Sequence, residues 1–199
     1  MTKYKNTFRI ESARLQDWDY STPWRYYVTI CTKNHIQYFG KIINGKMILN
    51  SLGKIAEKEW AKTKLIRLNV ELDRYVIMPN HIHGIIVING ADIIETHRVC
   101  RGKENDICFE NENVNKGGDA FDASLRISNN CLSDIVRGFK SSFTKQAKEN
   151  GFNNFKWQPR FYDRIIRNEK ELFNIRNYIE QNPAKWALEK HGIQNQTEL

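Results

Sequence analysis

The sequence predicts an α+β fold in which helices cover an antiparallel sheet. Segments with strand-like alternation are interleaved with amphipathic helical segments, a hairpin signal lies near the start, and the last third holds two helical patterns around one strand. With 199 residues and 40% hydrophobic content, the chain can bury one sizeable core. We therefore expect a single domain over residues 1–199.

A strand and a hairpin open the predicted fold. The segment RYYVTICT (25–32) is rich in aromatic and β-branched residues, and Asn44-Gly45 separates two apolar runs, the strongest short-range signal for a hairpin. Apolar residues at helical spacing over 51–66 predict the first helix, with Ser51 as its N-cap. The chain thus begins with antiparallel structure followed by a helix.

Two strands and an insertion occupy the middle of the chain. VELDRYVIM (70–78) alternates as a strand does, the dipeptide PN breaks it, and HIHGIIVI (81–88) forms the next strand. From about 89 to 130 the apolar pattern stops, with seven Asn and an acidic balance. These features predict a long mobile insertion, and we expect its part from 96 to 128 to be dispensable for the core.

The last third reads as helix, strand and helix. A helix over 132–149 has Ser133 as its N-cap, FKWQPRFYDRIIRN (155–168) is a strand with an early break at its proline, and EKELFNIRNYIEQN (169–182) is a final amphipathic helix. The full order is strand, hairpin, helix, two strands, helix, strand, helix. It predicts a ferredoxin-like sandwich whose antiparallel sheet has about five strands.

Composition limits the class of protein. No apolar run approaches the roughly 20 residues of a membrane span, and the N-terminus MTKYKNTFRIESARL lacks the apolar core of a signal peptide, so we expect a cytoplasmic protein without membrane contact. The four cysteines show no C-x-x-C spacing and are expected to be reduced thiols. The net charge is +8, and residues 132–170 carry nine Lys/Arg against four Asp/Glu. This basic excess favours a polyanionic partner.

The segment HIH places two of the five histidines on one face of a predicted strand. Since side chains alternate across a strand, His81 and His83 emerge together and their rings are near enough to hold one metal ion, whereas Ile82 points into a core. An H-x-H pair also arises by chance, or packs as two hydrogen-bonded histidines. Gly84 favours a site, because a glycine within a strand often marks the close approach of a ligand or another backbone.

The last helix offers further site residues in NYIEQNP. Tyr178 and Asn182 lie four residues apart and are neighbours on one flank of the buried stripe. Pro183 disfavours helical geometry at Asn182, so we expect this amide at the helix end, turned toward the sheet. From its spacing alone, Tyr178 is also an ordinary boundary tyrosine whose hydroxyl lies in water.

These motifs together carry a resemblance. VIMPNHIHGIIVI, followed later by WQPRFYDRIIRNEKELFNIRNYIEQNPAKW, resembles the REP-associated tyrosine transposases, a branch of the single-tyrosine HUH transposase superfamily. The resemblance runs from about 25 to 186, apart from the insertion. H-x-H after a strand, W-Q before the penultimate strand and Y-I-x-x-N-P form a specific combination, although each alone is weak.

The resemblance implies a metal-dependent DNA transesterase that cleaves and rejoins single strands. His81 and His83 match the family's metal-binding pair, Tyr178 matches its nucleophile, and Asn182 matches a third ligand that is a glutamine in related insertion-sequence transposases. The implied cofactor is Mg²⁺ or Mn²⁺. The implied substrate is single-stranded DNA with hairpins of repetitive extragenic palindromes, bound by a monomer or weak dimer.

Basic and aromatic residues near the site are candidate DNA contacts. Basic side chains can track a phosphate backbone, and Trp157, Phe161 and Tyr162 can stack on unpaired bases, although we expect at least one of the three in the core. Each basic residue is equally compatible with a solvated surface. The predicted contacts are Arg137, Lys140, Lys148, Trp157, Arg160, Arg164 and Arg167.

Two other classes of function remain open at the level of sequence. A zinc or manganese phosphohydrolase using His81 and His83 would activate water and form no covalent adduct. A catalytically silent hairpin-binding protein would keep the basic surface without needing Tyr178.

Overall fold

A computed structural model describes residues 3–4, 7–8, 14–15, 17–90 and 131–194. Eight strands and three α-helices lie within these ranges. In chain order they are β1 (Lys3–Tyr4), β2 (Thr7–Phe8), β3 (Arg25–Cys31), β4 (Gly40–Ile43), β5 (Lys46–Leu49), α1 (Ser51–Ile66), β6 (Val70–Ile77), β7 (His81–Ile88), α2 (Leu132–Glu149), β8 (Tyr162–Ile165) and α3 (Glu169–Gln194), with a 3-10 helix (Lys33–His35) after β3. From residue 91 onward, the predicted insertion lies outside the described residues.

The main sheet has four strands in the order β6-β7-β3-β8, and all three pairings are antiparallel. Together with helices between its strands, this order confirms the predicted α+β fold of ferredoxin-like type. The hairpin β4-β5 forms a separate two-stranded sheet, which is why the main sheet has four strands where about five were expected. At the hairpin turn, Asn44 and Gly45 have φ of 50° and 69°, the left-handed geometry that an Asn-Gly turn favours.

Each face of the sheet carries its own core. On one face, α1 and α2 bury their apolar stripes against β3 and β7, and the buried residues of α2 are Leu132, Ile135, Val136, Phe139, Phe143 and Ala147. On the other face, α3 covers a smaller cluster that includes Tyr27, Ile85 and Ile179. Alternation along β7 places Ile82 in the first core, as predicted, and the two histidines on the α3 face.

Both expected helix caps were wrong. Asn50, rather than Ser51, caps α1 by accepting a hydrogen bond from the Gly53 amide. Cys131 occupies the N-cap position of α2, and the hydroxyl of Ser133 instead accepts a hydrogen bond from Arg14. In both cases the predicted cap lies inside the first turn of the helix, one residue after the true N-cap in α1 and two residues after it in α2.

The final helix does not end before Pro183. It continues to Gln194 with the proline inside it, although an interior proline removes one helical hydrogen bond and crowds the preceding turn. Packing explains the continuation. Ala184 lies against Gly45 of the hairpin turn, where an added Cβ would come 3.5 Å from the Ala184 Cα, and the Trp186 ring packs on His81. Among the described helices, none is both long and apolar enough to cross a membrane.

Candidate active site

Two imidazoles meet on the α3 face of the sheet. His81 and His83 leave β7 on the same side, and their Nε2 atoms lie 2.9 Å apart. The ring centroids are separated by 4.4 Å with the planes 71° apart. Within the described part of the chain, no third His, Cys, Asp or Glu joins them to form a metal-binding group. A further ligand supplied by the described residues would therefore be of another type.

Asn80 holds the outer nitrogen of His81, which is Nδ1, the ring nitrogen that faces away from His83. The Asn80 amide nitrogen donates to the His35 carbonyl at 3.0 Å, which turns the amide oxygen toward His81. His81 Nδ1 lies 2.6 Å from that oxygen, and because the oxygen only accepts, the ring donates from Nδ1. Burial lowers the pKa of His81 to about 4. The ring is therefore neutral at pH 7, with its Nε2 lone pair directed at His83.

Two hydroxyls converge on the outer nitrogen of His83. The Tyr27 hydroxyl lies 2.7 Å from His83 Nδ1, and the Thr29 hydroxyl lies 2.9 Å from the same atom. Burial, with the neighbouring His81 second, lowers the pKa of His83 to about 3. At 5% exposure this ring is a fixed, neutral group rather than a mobile surface side chain.

One side of α3 lines the histidine pair. The Tyr178 ring lies 5.3 Å from the His83 ring, centroid to centroid, and the Trp186 ring lies 5.8 Å from that of His81. Asn182 is midway between them at four-residue spacing, so it lies on the same side of the helix, and it is 8% exposed. Tyr178, Asn182 and Trp186 thus lie on one side of α3, and continuation of the helix through Pro183 adds the Trp186 ring beside His81.

Tyr178 is the accessible member of this group. It is 40% exposed, its ring stands edge-on to that of Tyr27 at 6.4 Å, and Lys185 Nζ lies 5.7 Å from its centroid. Burial raises the pKa of Tyr27 well above its usual range, and interactions with Tyr178 raise it further. The two tyrosines therefore differ in character, since one is enclosed and the other faces solvent.

Gly84 does not serve the site in the way the sequence suggested. A Cβ at this position would lie 2.6 Å from Cζ2 of Trp60, which belongs to α1 on the opposite face of the sheet. The glycine makes room for a core indole. A close approach was expected, but the neighbour is part of the core rather than a ligand.

The predicted DNA contacts fall into two groups. The first surrounds a groove of about 750 Å³ between the outer face of α2 and the segment 157–161. Arg137 and Lys148 are exposed at its wall, and Arg137 pairs with Asp134 at 2.7 Å. Lys140 Nζ instead donates to the carbonyls of Gln158 and Arg160, at 2.8 and 3.2 Å, and so fixes that segment to α2.

The aromatic candidates divide between core and surface. Trp157 packs among core rings, at centroid distances of 5.1 Å from Phe143 and 4.9 Å from Phe155, as expected for at least one of the three. Phe161 is half-buried beneath the Arg14 guanidinium. Tyr162 is 51% exposed, on the same face of the sheet as the histidine pair.

The second group of basic residues lies along β8 and the start of α3. Arg164 pairs with Glu171 at 2.6 Å, and the Arg167 amide donates to the same carboxylate at 2.8 Å. Arg160 is exposed in the loop before β8. The structure therefore places this group along the free edge of the sheet, with part of its charge already neutralised.

Sequence reasoning missed the residues that hold the imidazoles from behind. Asn80 directly precedes the H-x-H pair and was read only as a strand breaker. Tyr27 and Thr29 lie on β3, and their approach to His83 depends on the pairing of Thr29 with His83 across the two strands. Their i, i+2 spacing shows that they share a face, but it does not reveal the strand register.

Comparisons with known proteins bear on the fold and on the family of the chain. No protein-family model matches the chain. The solved structure of a REP-associated tyrosine transposase bound to a REP hairpin has a TM-score of 0.50 and 21% identity, covering 88% of this chain and 74% of that one. At this identity the likeness shows the fold alone, so the chain has a transposase-like fold.

A second comparison is closer in sequence. A Haemophilus influenzae protein described as uncharacterized is 36% identical over 179 residues, which cover 90% of this chain and 91% of that protein. Identity at this level over nearly the whole of both chains indicates common descent. The chain therefore belongs to the same family as this Haemophilus influenzae protein.

Proposed function

We propose that the protein is a metal-dependent DNA transesterase that cleaves and rejoins single-stranded or hairpin DNA through a 5′-phosphotyrosine at Tyr178. One observation carries the proposal: the ring of the accessible Tyr178 lies 5.3 Å, centroid to centroid, from the buried His83 ring, whose Nε2 is 2.9 Å from that of the half-buried His81. The transposase-like fold supports the same reaction class. The REP-associated transposase, whose solved structure holds a REP hairpin, suggests hairpin DNA as the substrate.

The donor set fits a divalent cation. Two nitrogen ligands of one divalent ion lie about 3 Å apart, close to the 2.9 Å between the two Nε2 atoms. His81 and His83 would hold Mg²⁺ or Mn²⁺, with the Asn182 amide as third ligand. Because all three side chains are neutral, a bound ion would keep its full double charge and would supply electrostatic stabilisation of negative charge on the scissile phosphate.

The protein's own residues supply attack and orientation. The Tyr178 hydroxyl loses its proton and its oxygen attacks the phosphorus, forming an O–P bond as the bond to the 3′-oxygen breaks. The 3′-oxygen takes up a proton and becomes a free hydroxyl, while the 5′-phosphate stays on the tyrosine. A later attack by a 3′-hydroxyl reverses these steps, so one tyrosine serves both cleavage and rejoining.

The groove beside α2 is the proposed contact for the DNA backbone. Arg137 and Lys148 are exposed at its wall, and the exposed ring of Tyr162 offers a stacking surface on the active-site face. Lys140 contributes by holding the wall of the groove in place. We propose that the protein acts on DNA as a monomer or weak dimer.

The decisive experiment uses Tyr178→Phe, with Tyr162→Phe as the matched control. Labelled hairpin DNA, incubated with protein and Mn²⁺ and resolved on a denaturing gel, should give a covalent band with the wild type and with Tyr162→Phe but none with Tyr178→Phe. Hairpin binding by Tyr178→Phe should stay within about threefold of wild type, because only one hydroxyl is removed.

The other outcomes of this experiment are informative. Continued cleavage by Tyr178→Phe would indicate a hydrolase that activates water. Absence of any cleavage by the wild type would indicate a binding protein. Peptide mapping of the adduct to a residue other than Tyr178 would overturn the assignment of the nucleophile.

A further inference from the structure

Tyr27 contacts the His83 ring on the side away from His81. Tyr27 is buried on β3, with its hydroxyl 2.7 Å from His83 Nδ1 and its ring edge-on to Tyr178 at 6.4 Å. It also stacks on the imidazole, with the ring centroids 5.6 Å apart and the planes 21° apart. One side chain therefore touches both a proposed metal ligand and the proposed nucleophile.

We propose that Tyr27 is a positioning residue of this site, whose hydroxyl holds the His83 ring with Nε2 toward His81 and whose ring supports Tyr178. This inference rests on the proposed function. An imidazole that binds a metal through one nitrogen is usually oriented by a hydrogen bond at the other, and loss of that partner weakens metal binding about 10- to 100-fold. Thr29 assists from the same strand, since its hydroxyl lies 2.9 Å from His83 Nδ1 and donates to the Tyr27 oxygen at 3.2 Å.

The neighbouring residue provides a matched control. Tyr26 is also fully buried on β3, but it faces the opposite core, and its hydroxyl donates to the Thr22 carbonyl at 2.9 Å. Tyr26→Phe and Tyr27→Phe are thus the same substitution at adjacent positions of one strand. Only Tyr27→Phe removes a hydroxyl that contacts the histidine pair.

The first measurement is Mn²⁺ affinity by isothermal titration calorimetry on the full chain without DNA. Tyr27→Phe should bind Mn²⁺ about 10- to 100-fold more weakly than wild type. Tyr26→Phe should stay within about twofold of wild type, and Thr29→Val should show a smaller loss than Tyr27→Phe because the stronger contact remains.

The second measurement separates the two roles of Tyr27. Single-turnover adduct formation with labelled hairpin DNA is followed as a function of Mn²⁺ concentration. Tyr27→Phe should raise the half-saturating Mn²⁺ concentration and recover most of the maximal rate, whereas Tyr27→Leu should also lower the maximal rate, because the ring beside Tyr178 is gone. A general loss of packing would not divide the two parameters in this way.

Each outcome bears on the proposal. Wild-type Mn²⁺ affinity in Tyr27→Phe, or an equal loss in Tyr26→Phe, overturns the role of Tyr27 while leaving the transesterase intact. If circular dichroism shows that Tyr27→Phe is unfolded, the titration is repeated for wild type and variant in trimethylamine N-oxide, which favours the folded state, and equal Mn²⁺ affinity there overturns the role. A wild-type protein that binds no Mn²⁺ would remove both proposals together.

Discussion

The two imidazoles of the site are kept neutral by desolvation, since among the described residues no carboxylate joins them. Burial disfavours the imidazolium form and lowers the pKa of His81 to about 4 and that of His83 to about 3. Neutral imidazoles are the form that binds metal ions. The same desolvation therefore keeps both rings in the form that the proposed metal site needs and makes the stability of the fold sensitive to acid.

This burial predicts a pH dependence of stability. Between about pH 6.5 and pH 4 the unfolded chain binds more protons at these histidines than the folded chain does, so the free energy of unfolding is greatest above that window and falls as the pH drops through it. Urea denaturation in EDTA should show that the two histidines together lower the free energy of unfolding by about 4 kcal/mol from pH 7 to pH 5, about 2 kcal/mol for each. The double variant His81→Gln/His83→Gln should show a shallower decrease, and an equal slope in that variant would contradict the assignment.

Removing either histidine should abolish strand cleavage with the fold retained. His81→Ala and His83→Ala each delete one of two imidazole ligands, and we expect at least about a 100-fold loss of cleavage at fixed Mn²⁺. His35→Asn is the control, because it removes an exposed histidine and asparagine tolerates the positive φ of 53° there. Circular dichroism must accompany the assay, and cleavage by both alanine variants at the wild-type rate in EDTA would refute a metal site.

At the level of secondary structure, local patterns gave most elements and long-range packing decided the rest. The hairpin turn, the strands on both sides of the PN break and the buried stripe of α2 all follow from short-range periodicity. The end of α3 does not, since Pro183 disfavours the helix locally and contacts with Gly45 and His81 outweigh it. Strand register was equally invisible, so Tyr27 and Thr29 were missed behind His83.

Strand β7 offers a test of how rigidly its core face is packed against α1. Gly84→Ala places a methyl group 2.6 Å from the rigid Trp60 ring, so we expect a loss of about 1 to 3 kcal/mol in the free energy of unfolding in urea. Gly138→Ala in α2 is the comparison, because its methyl group meets the guanidinium of Arg67, which hydrogen-bonds to the Asp134 carbonyl but ends a long side chain with several rotatable bonds, and because helical alanine is favoured over glycine. A Gly84→Ala protein as stable as Gly138→Ala would show that the indole can move aside.

At the scale of the whole molecule, the sheet separates two kinds of chemistry. The histidines, together with Tyr178 of α3, lie on the face that α3 covers, whereas the basic groove runs along α2, which packs on the other face. The segment 157–161, at the edge of the sheet, links the groove wall to Tyr162 on the active-site face. A DNA strand bound in the groove would therefore have a short route around that edge of the sheet to the proposed active site.

This arrangement predicts that DNA affinity depends on where positive charge lies and not only on the net charge of +8. Neutralising two groove residues with Arg137→Gln/Lys148→Gln should weaken hairpin binding and reduce the slope of log K against log salt by roughly 1.4 to 1.8, since each phosphate contact contributes about 0.7 to 0.9. Lys54→Gln/Lys58→Gln removes the same charge from exposed positions on α1 and should leave the slope nearly unchanged. Fluorescence anisotropy from 50 to about 300 mM salt measures both pairs. A variant that has lost a specific phosphate contact must release fewer counterions on binding DNA than a variant that has lost only remote lysines. Equal slopes for the two double variants would therefore mean that the protein attracts DNA through its overall charge.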